Sequence, residues 1–281
     1  IMKFVIDPIK DKMIRGLVQG KKNVMITGAT GAGKTSYCYM VGEDMEMEPI
    51  VINCGSTQDA RTSLLGFFTL EDGNTKFVES DFIKAIQRPN TLIILDELSR
   101  ASDDAFNILF PILDHRREVR VEEADGKDRV IKVDESVRFM STANVGLEYS
   151  STRSIDRALA DRFMLFNLPY ISGKEVTQFI KDEIGIDDSL MPKLDAMTKI
   201  YDYSHTLFGK GKIGTRISTR AVLDVLSLME GFSVRDILDH AILSQYEQDS
   251  STIVNDANIL REFADSIGVY AETKKTEKEV Y

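Results

Sequence analysis

Residues Gly28-Ala29-Thr30-Gly31-Ala32-Gly33-Lys34-Thr35 satisfy the pattern G-x-x-x-x-G-K-[ST] in full. Its glycines let backbone N–H groups turn inward around a phosphate, and the N-terminus of a following helix adds its dipole. Lys34 would neutralise charge between the β- and γ-phosphates of a nucleotide. Thr35 would offer its hydroxyl to Mg²⁺, and Ser36 follows at the start of the helix. The plain alternative is a Gly-rich turn with a chance lysine. An apolar run before the loop and a helical pattern after it favour the phosphate loop. No NKxD guanine-recognition motif is present, which favours ATP over GTP.

A second pair of chemical groups, Asp96-Glu97, directly follows the apolar run Thr91 to Leu95. The first carboxylate at the end of a strand can hold Mg²⁺, commonly through water. The next can polarise an attacking water as a general base. Many strands end in acids, so the pair is weak by itself. Beside a complete phosphate loop it becomes the expected second half of a hydrolytic site.

These residues need a frame. Asn23 to Ile26, Ile50 to Asn53, Thr91 to Leu95, Val137 to Ser141 and Phe163 to Leu168 are short, nearly continuously apolar runs. Such runs read as strands buried on both faces of a parallel sheet. Helical stretches lie between them, including Thr35 to Met45, with Cys38 and Val41 on its buried side. The expected fold class is therefore α/β. Pro111 interrupts the helix expected over Asp103 to Leu113, so a kink is expected there. Two insertions alternate apolar and polar residues around turn signals. One spans Leu64 to Phe77 around Asp72-Gly73-Asn74, and the other spans Val119 to Val133 around Asp125-Gly126. Both read as β-hairpins projecting on exposed loops.

After Tyr170 the strands stop. Gly173 to Ile184, Ser189 to Phe208, Ser218 to Glu230, Val234 to Tyr246 and Ile253 to Ile267 read as helices, the third with Ser218 as N-cap. The expected domains are an α/β nucleotide-binding domain over residues 1–170 and a smaller all-α lid over 171–270. A charged tail over 271–281 is expected to be poorly ordered.

The chain has 281 residues, enough for a substantial core. Its net charge of −10 argues against a surface coated for nucleic acid. Cys38 and Cys54 form no disulfide framework, read as small core residues, and fit a reducing compartment. His115, His205 and His240 share no ligand spacing. No apolar run reaches the roughly 20 residues of a membrane span. No signal peptide is visible either, so a cytoplasmic, non-membrane protein is expected.

The ordered set of motifs resembles the AAA+ ATPases. The segment LIILDELSRA (Leu92 to Ala101) looks like their Walker B region, more narrowly that of the MoxR-type branch. That branch includes the ATPase subunit of cobaltochelatase and activators paired with von Willebrand A-domain partners. STAN (Ser141 to Asn144) resembles the sensor 1 strand end. ALADRF (Ala158 to Phe163) resembles the arginine-finger segment, and ISTRAVL (Ile217 to Leu223) the start of the sensor 2 helix. The two hairpins lie where the branch carries its inserts. The resemblance implies a P-loop parallel sheet sandwiched by helices, with two β-hairpin inserts and an all-α lid. It implies ATP and Mg²⁺ as ligands, Gly28 through Ser36 as the phosphate site, and Thr35 and Asp96 at the metal.

For catalysis it implies Glu97 as base and Asn144 either orienting the lytic water or touching the γ-phosphate. It also implies Arg162 as a finger reaching a neighbouring subunit, with Arg153 and Arg157 as alternatives. An arginine finger opposes the negative charge that spreads in the transition state, by roughly 10³ to 10⁵ in rate. Arg220 would bridge from the lid to the nucleotide; its place at a helix N-terminus is explained by a partner anion. Phe67, Phe68 and Phe77 either touch a substrate in a central pore or pack on neighbouring elements, the second being favoured. The implied assembly is a homo-oligomeric ring, a hexamer, that remodels or activates a partner protein, with a von Willebrand A-domain partner as the candidate. A nucleic-acid motor or loader is the first alternative, supported by Arg117, Arg120, Lys127, Arg129 and Lys132 near the second hairpin. A nucleotide-gated assembly factor is the second, and an intact Glu97 speaks against it.

Overall fold

The computed structural model describes residues 5–55, 59–71, 74–121, 129–144, 161–245 and 251–270. Two compact units emerge. The first gathers Ile6–Ala29 and Lys34–Pro169, and the second gathers Thr30–Gly33 and the chain from Tyr170 onward.

A five-stranded sheet organises the first unit. Its strands are β1 (Val24–Gly28), β2 (Glu48–Asn53), β5 (Thr91–Asp96), β8 (Arg138–Asn144) and β9 (Met164–Asn167), in the order β2-β5-β8-β1-β9. Every pairing is parallel. The α/β class expected from the alternation of apolar runs and helices is the observed one. The three central strands are buried along nearly their whole length. The outer two differ from expectation: Val51 on β2 is 42% exposed, and Met164 and Leu165 on β9 are 51% and 46% exposed. An edge strand lacks a neighbour on one side, so its apolar run is covered incompletely. Pro49 sits on β2, where a missing N–H is tolerated because the strand is an edge.

Helices α1 (Pro8–Gln19), α2 (Lys34–Asp44), α3 (Ala60–Leu64), α4 (Asp81–Gln87) and α5 (Asp103–Leu113) belong to this unit. Ser80 and Ser102 cap α4 and α5 through their hydroxyls. Helix α5 buries Ala105, Phe106, Leu109 and Ile112 at helical spacing, and it runs past Pro111 to Leu113. Burying a side chain of this size contributes on the order of 1.5–3 kcal/mol, so this one face anchors the helix firmly.

Both expected hairpins form. Strands β3 (Gly66–Glu71) and β4 (Asn74–Glu79) pair antiparallel with Phe68 opposite Phe77. Strands β6 (Glu118–Val121) and β7 (Arg129–Lys132) pair with Val119 opposite Ile131. Their expected turn residues Asp72-Gly73 and Asp125-Gly126 lie outside the described residues. The second hairpin does not simply project: Val119, Val121, Ile131 and Val133 join the core of the first unit. Alternation places those four on one face, which the core covers, while Arg120, Val130 and Lys132 face solvent. In the first hairpin Phe77 packs on the core and against Phe68, with ring centroids 5.4 Å apart. Phe67 and Phe68 nevertheless stay about half exposed, more than the packing expectation implies.

Among its described residues the second unit is mainly helical from Gly173, with its own core around Val176, Leu194, Met197, Tyr201, Val222 and Leu260. Three expected helices are more broken than their apolar periodicity suggests: Gly173–Phe179 runs into a π-turn over Ile180–Ile184, and two more break further on. Thr219–Asp224 gives way to a 3₁₀ turn at Leu226–Leu228, and Val234–Ile237 runs into a π-turn over Leu238–Ile242. Ser218 is the N-cap expected, accepting the Ala221 N–H at 3.1 Å. No helix among the described residues is long and apolar enough to cross a membrane.

Candidate functional site

Sheet order decides which strand ends meet. In the parallel register Gly28 of β1 lies opposite Asn144 of β8, and Leu95 of β5 lies opposite Ser141 of β8. The C-terminal ends of three adjacent central strands therefore converge, the usual ligand crevice of an open α/β sheet.

From β1 the chain turns at Gly28, whose φ is 151°. A Cβ there would sit 2.4 Å from the Leu168 carbonyl oxygen, so the turn admits only glycine. Gly31 and Gly33 also have positive φ, which lets the loop wrap back before α2 begins at Lys34. Lys34 is buried, and its Nζ donates to the Ala29 carbonyl and to Asn144 Oδ1, both at 2.7 Å. The Thr35 hydroxyl donates to Asp96 Oδ1 at 2.7 Å.

Thr142, which the sequence reading passed over, completes this network. Its hydroxyl donates to Asp96 Oδ1 at 2.6 Å and accepts the Glu97 N–H at 3.0 Å. The signal for it was present: residues 142 and 144 share one face of a strand, so Thr142 points where Asn144 points. Glu97 adopts a left-handed φ of 53°, uncommon for a side chain with a Cβ. Its carboxylate meets Arg100 Nη1 at 3.0 Å and lies close against Gly55. Both partners are solvent-accessible, so this ion pair is weak and separable.

The donor set suits a triphosphate and a hard cation. An ammonium and a positive-φ glycine loop at a helix N-terminus match phosphate oxygens. The Thr35 hydroxyl and Asp96 carboxylate, already 2.7 Å apart, match the oxygen-only preference of Mg²⁺. Neither cysteine offers competing nucleophilic chemistry. Burial, and next the charge of Asp96, push the Cys38 thiol far up and the Cys54 thiol up to about 12. No cluster of three metal-ligating side chains occurs among the described residues.

Thus Lys34, Thr35, Asp96 and Asn144 come together, with Glu97 adjacent. Arg162 does not join them. It precedes β9, whose Met164 lies opposite Val24 at the start of β1. The glycine-rich loop leaves the other end of β1, about 13 Å away at about 3.3 Å per residue. Arg162 instead lies over the Phe110 ring, 4.1 Å from its centroid. Arg153 and Arg157 lie outside the described residues. Within the second unit, Arg220 is exposed in the first turn of its helix. A Cβ built on Gly31 would lie 3.8 Å from the Arg220 Cβ, and the Tyr170 hydroxyl donates to the Thr30 carbonyl.

A family profile described as the AAA domain (dynein-related subfamily) matches residues 23–163. An uncharacterized protein of Staphylococcus saprophyticus is 29% identical over 241 residues, covering 84% of this chain and 88% of that protein. One from Staphylococcus epidermidis is 27% identical with the same coverage. Among solved structures, NtrX from Brucella abortus aligns with a TM-score of 0.52 at 16% identity. That alignment covers 86% of this chain and only 53% of the NtrX chain, and it concerns the fold alone.

Proposed function

This chain belongs to the AAA domain family, dynein-related subfamily, and from that premise we propose that it hydrolyses ATP in a homo-oligomeric ring to remodel a partner protein. The observation that carries the reading is the network joining Lys34, Asn144, Thr35, Asp96 and Thr142 across the ends of β1, β5 and β8.

Lys34 and the loop N–H groups from Gly28 to Thr35, followed by Ser36, would hold the β- and γ-phosphates. Thr35 and Asp96 would hold Mg²⁺, which when bound neutralises charge building between those phosphates. Glu97 would take the proton of the attacking water, and Asn144, whose Oδ1 accepts from Lys34, would orient that water. Thr142 ties Asp96 to the Glu97 backbone, so the metal-side acid and the base are set by one hydroxyl. Arg220 would contact the nucleotide as well. Arg162 would act on the phosphate of the neighbouring copy, because it lies at the opposite end of the strand from its own loop.

Likeness of the motif set to the MoxR type supports a hexamer with a protein partner of the von Willebrand A class. The domains follow as 1–170 for nucleotide chemistry and 171–270 for the lid, with 271–281 as a tail. The nucleic-acid alternative is weakened by Arg129, which pairs with Glu79 at 2.7 Å, and by the net charge of −10.

The test is Glu97→Gln. The amide keeps shape and hydrogen bonding but cannot act as a base, so ATP should still bind while turnover falls by at least about 10²-fold. Binding is read with a fluorescent ATP analogue and turnover by phosphate release. Turnover near wild type would assign the base elsewhere.

A further inference from the structure

We propose that Phe110 is a positioning residue for Arg162, with Asn23 fixing the backbone beneath it; the inference rests on the reading of Arg162 as a finger acting in trans. Two independent contacts define this seat. The Arg162 guanidinium carbon stands 4.1 Å from the Phe110 ring centroid, inside the range of a cation–π contact. The Asn23 side-chain amide donates to the Arg162 carbonyl at 3.1 Å and to the Leu113 carbonyl at 2.8 Å. One amide thereby stitches the approach to β9 onto the C-terminal end of α5. The Asn23 carbonyl also accepts the Met164 N–H at 2.9 Å, which holds the chain on the far side of Arg162. Phe110 is itself braced, stacking on Phe106 one helical turn earlier with ring planes 12° apart.

The chemistry of the contact suits a finger. Stacking uses the flat face of a guanidinium, whereas phosphate oxygens are met by its in-plane N–H groups. A ring under the face therefore restricts a long, many-rotamer side chain without competing for the donors it must present. Pre-orienting the side chain removes an ordering cost from the step in which it meets the neighbour's phosphate. Phe110 touches neither nucleotide nor water in this scheme and acts only through Arg162.

Steady-state ATP hydrolysis is measured on assembled protein, with assembly of each variant verified by sedimentation. Phe110→Leu removes the π face at similar bulk. It should lower kcat about 2- to 30-fold, the factor a cation–π contact can carry, with KM for ATP unchanged. Phe110→Tyr and Phe110→Trp keep a π face and should recover most of the turnover. Phe110→Met gives a second aliphatic variant and decides alone if Phe110→Leu does not fold. The inference is overturned if the aliphatic variants keep wild-type kcat, or if aliphatic and aromatic variants lose turnover equally. Arg162→Ala is measured alongside. Should it keep wild-type turnover, the finger reading itself fails, an outcome distinct from retained activity in Phe110→Leu while Arg162→Ala is inactive.

Discussion

At the residue scale the site depends on oxygens shared between neighbours. Asp96 Oδ1 accepts from both Thr35 and Thr142, and the Thr142 hydroxyl also accepts the Glu97 N–H. Thr142 is almost fully buried, so no water replaces those contacts without rearrangement. Thr142→Val keeps the branched shape and deletes only the hydroxyl. It leaves a part-buried N–H unsatisfied and Asp96 one donor short, which should destabilise the fold by about 1 kcal/mol. Turnover should fall as well, because the backbone carrying Glu97 loses its tie to Asp96. Urea denaturation and phosphate release read the two effects. An unchanged midpoint together with unchanged turnover would remove Thr142 from the site.

Single elements carry their own chemistry, and the helix Met191–Gly209 of the second unit shows it. It places His205 against the Tyr170 and Tyr201 rings, with Nε2 2.8 Å from the Ile217 carbonyl. Burial pushes the imidazole below its ordinary value, and nearby Arg216 adds to this, while the Ile217 carbonyl opposes it. The folded chain thus resists the proton more than the unfolded chain does. Stability is full above the unfolded value of about 6.5 and is lost as pH falls through the folded value. Thermal melts of the whole chain from about pH 8 to about pH 5 should therefore show a declining midpoint, and His205→Gln should flatten part of that decline. An identical pH slope in the variant would assign the acid sensitivity to other groups.

For the whole molecule, the decisive geometry is that the glycine-rich loop after β1 and Arg162 before β9 belong to opposite ends of that parallel pair. A chain built this way is expected to be inactive alone and active when assembled. Specific activity should rise with protein concentration until assembly is complete. Arg162→Ala and Lys34→Ala should each lose most turnover, and mixing them should restore some. A mixed interface pairs the intact loop of one with the intact finger of the other. Co-assembly without any recovery would argue against action in trans. Activity independent of concentration down to a verified monomer would end the ring reading altogether.

Local pattern made the glycine turn before α2, the acid pair ending β5, the strand endings and the α/β class legible in the amino-acid order alone. Each depends on contiguous residues: glycines that turn a loop, a lysine that starts a helix, acids that terminate an apolar run. The hairpins were legible for the same reason, since their alternation and turn residues are adjacent in the chain. Tertiary structure decided what pairing across the chain decides. Only the order β2-β5-β8-β1-β9 brings Thr142 and Asn144 beside Asp96 and Lys34, and only that order makes β2 and β9 edges with exposed apolar residues. The Phe110 ring under Arg162 is of this kind too, because no periodicity within either segment specifies which surfaces meet when separate elements pack on a common sheet.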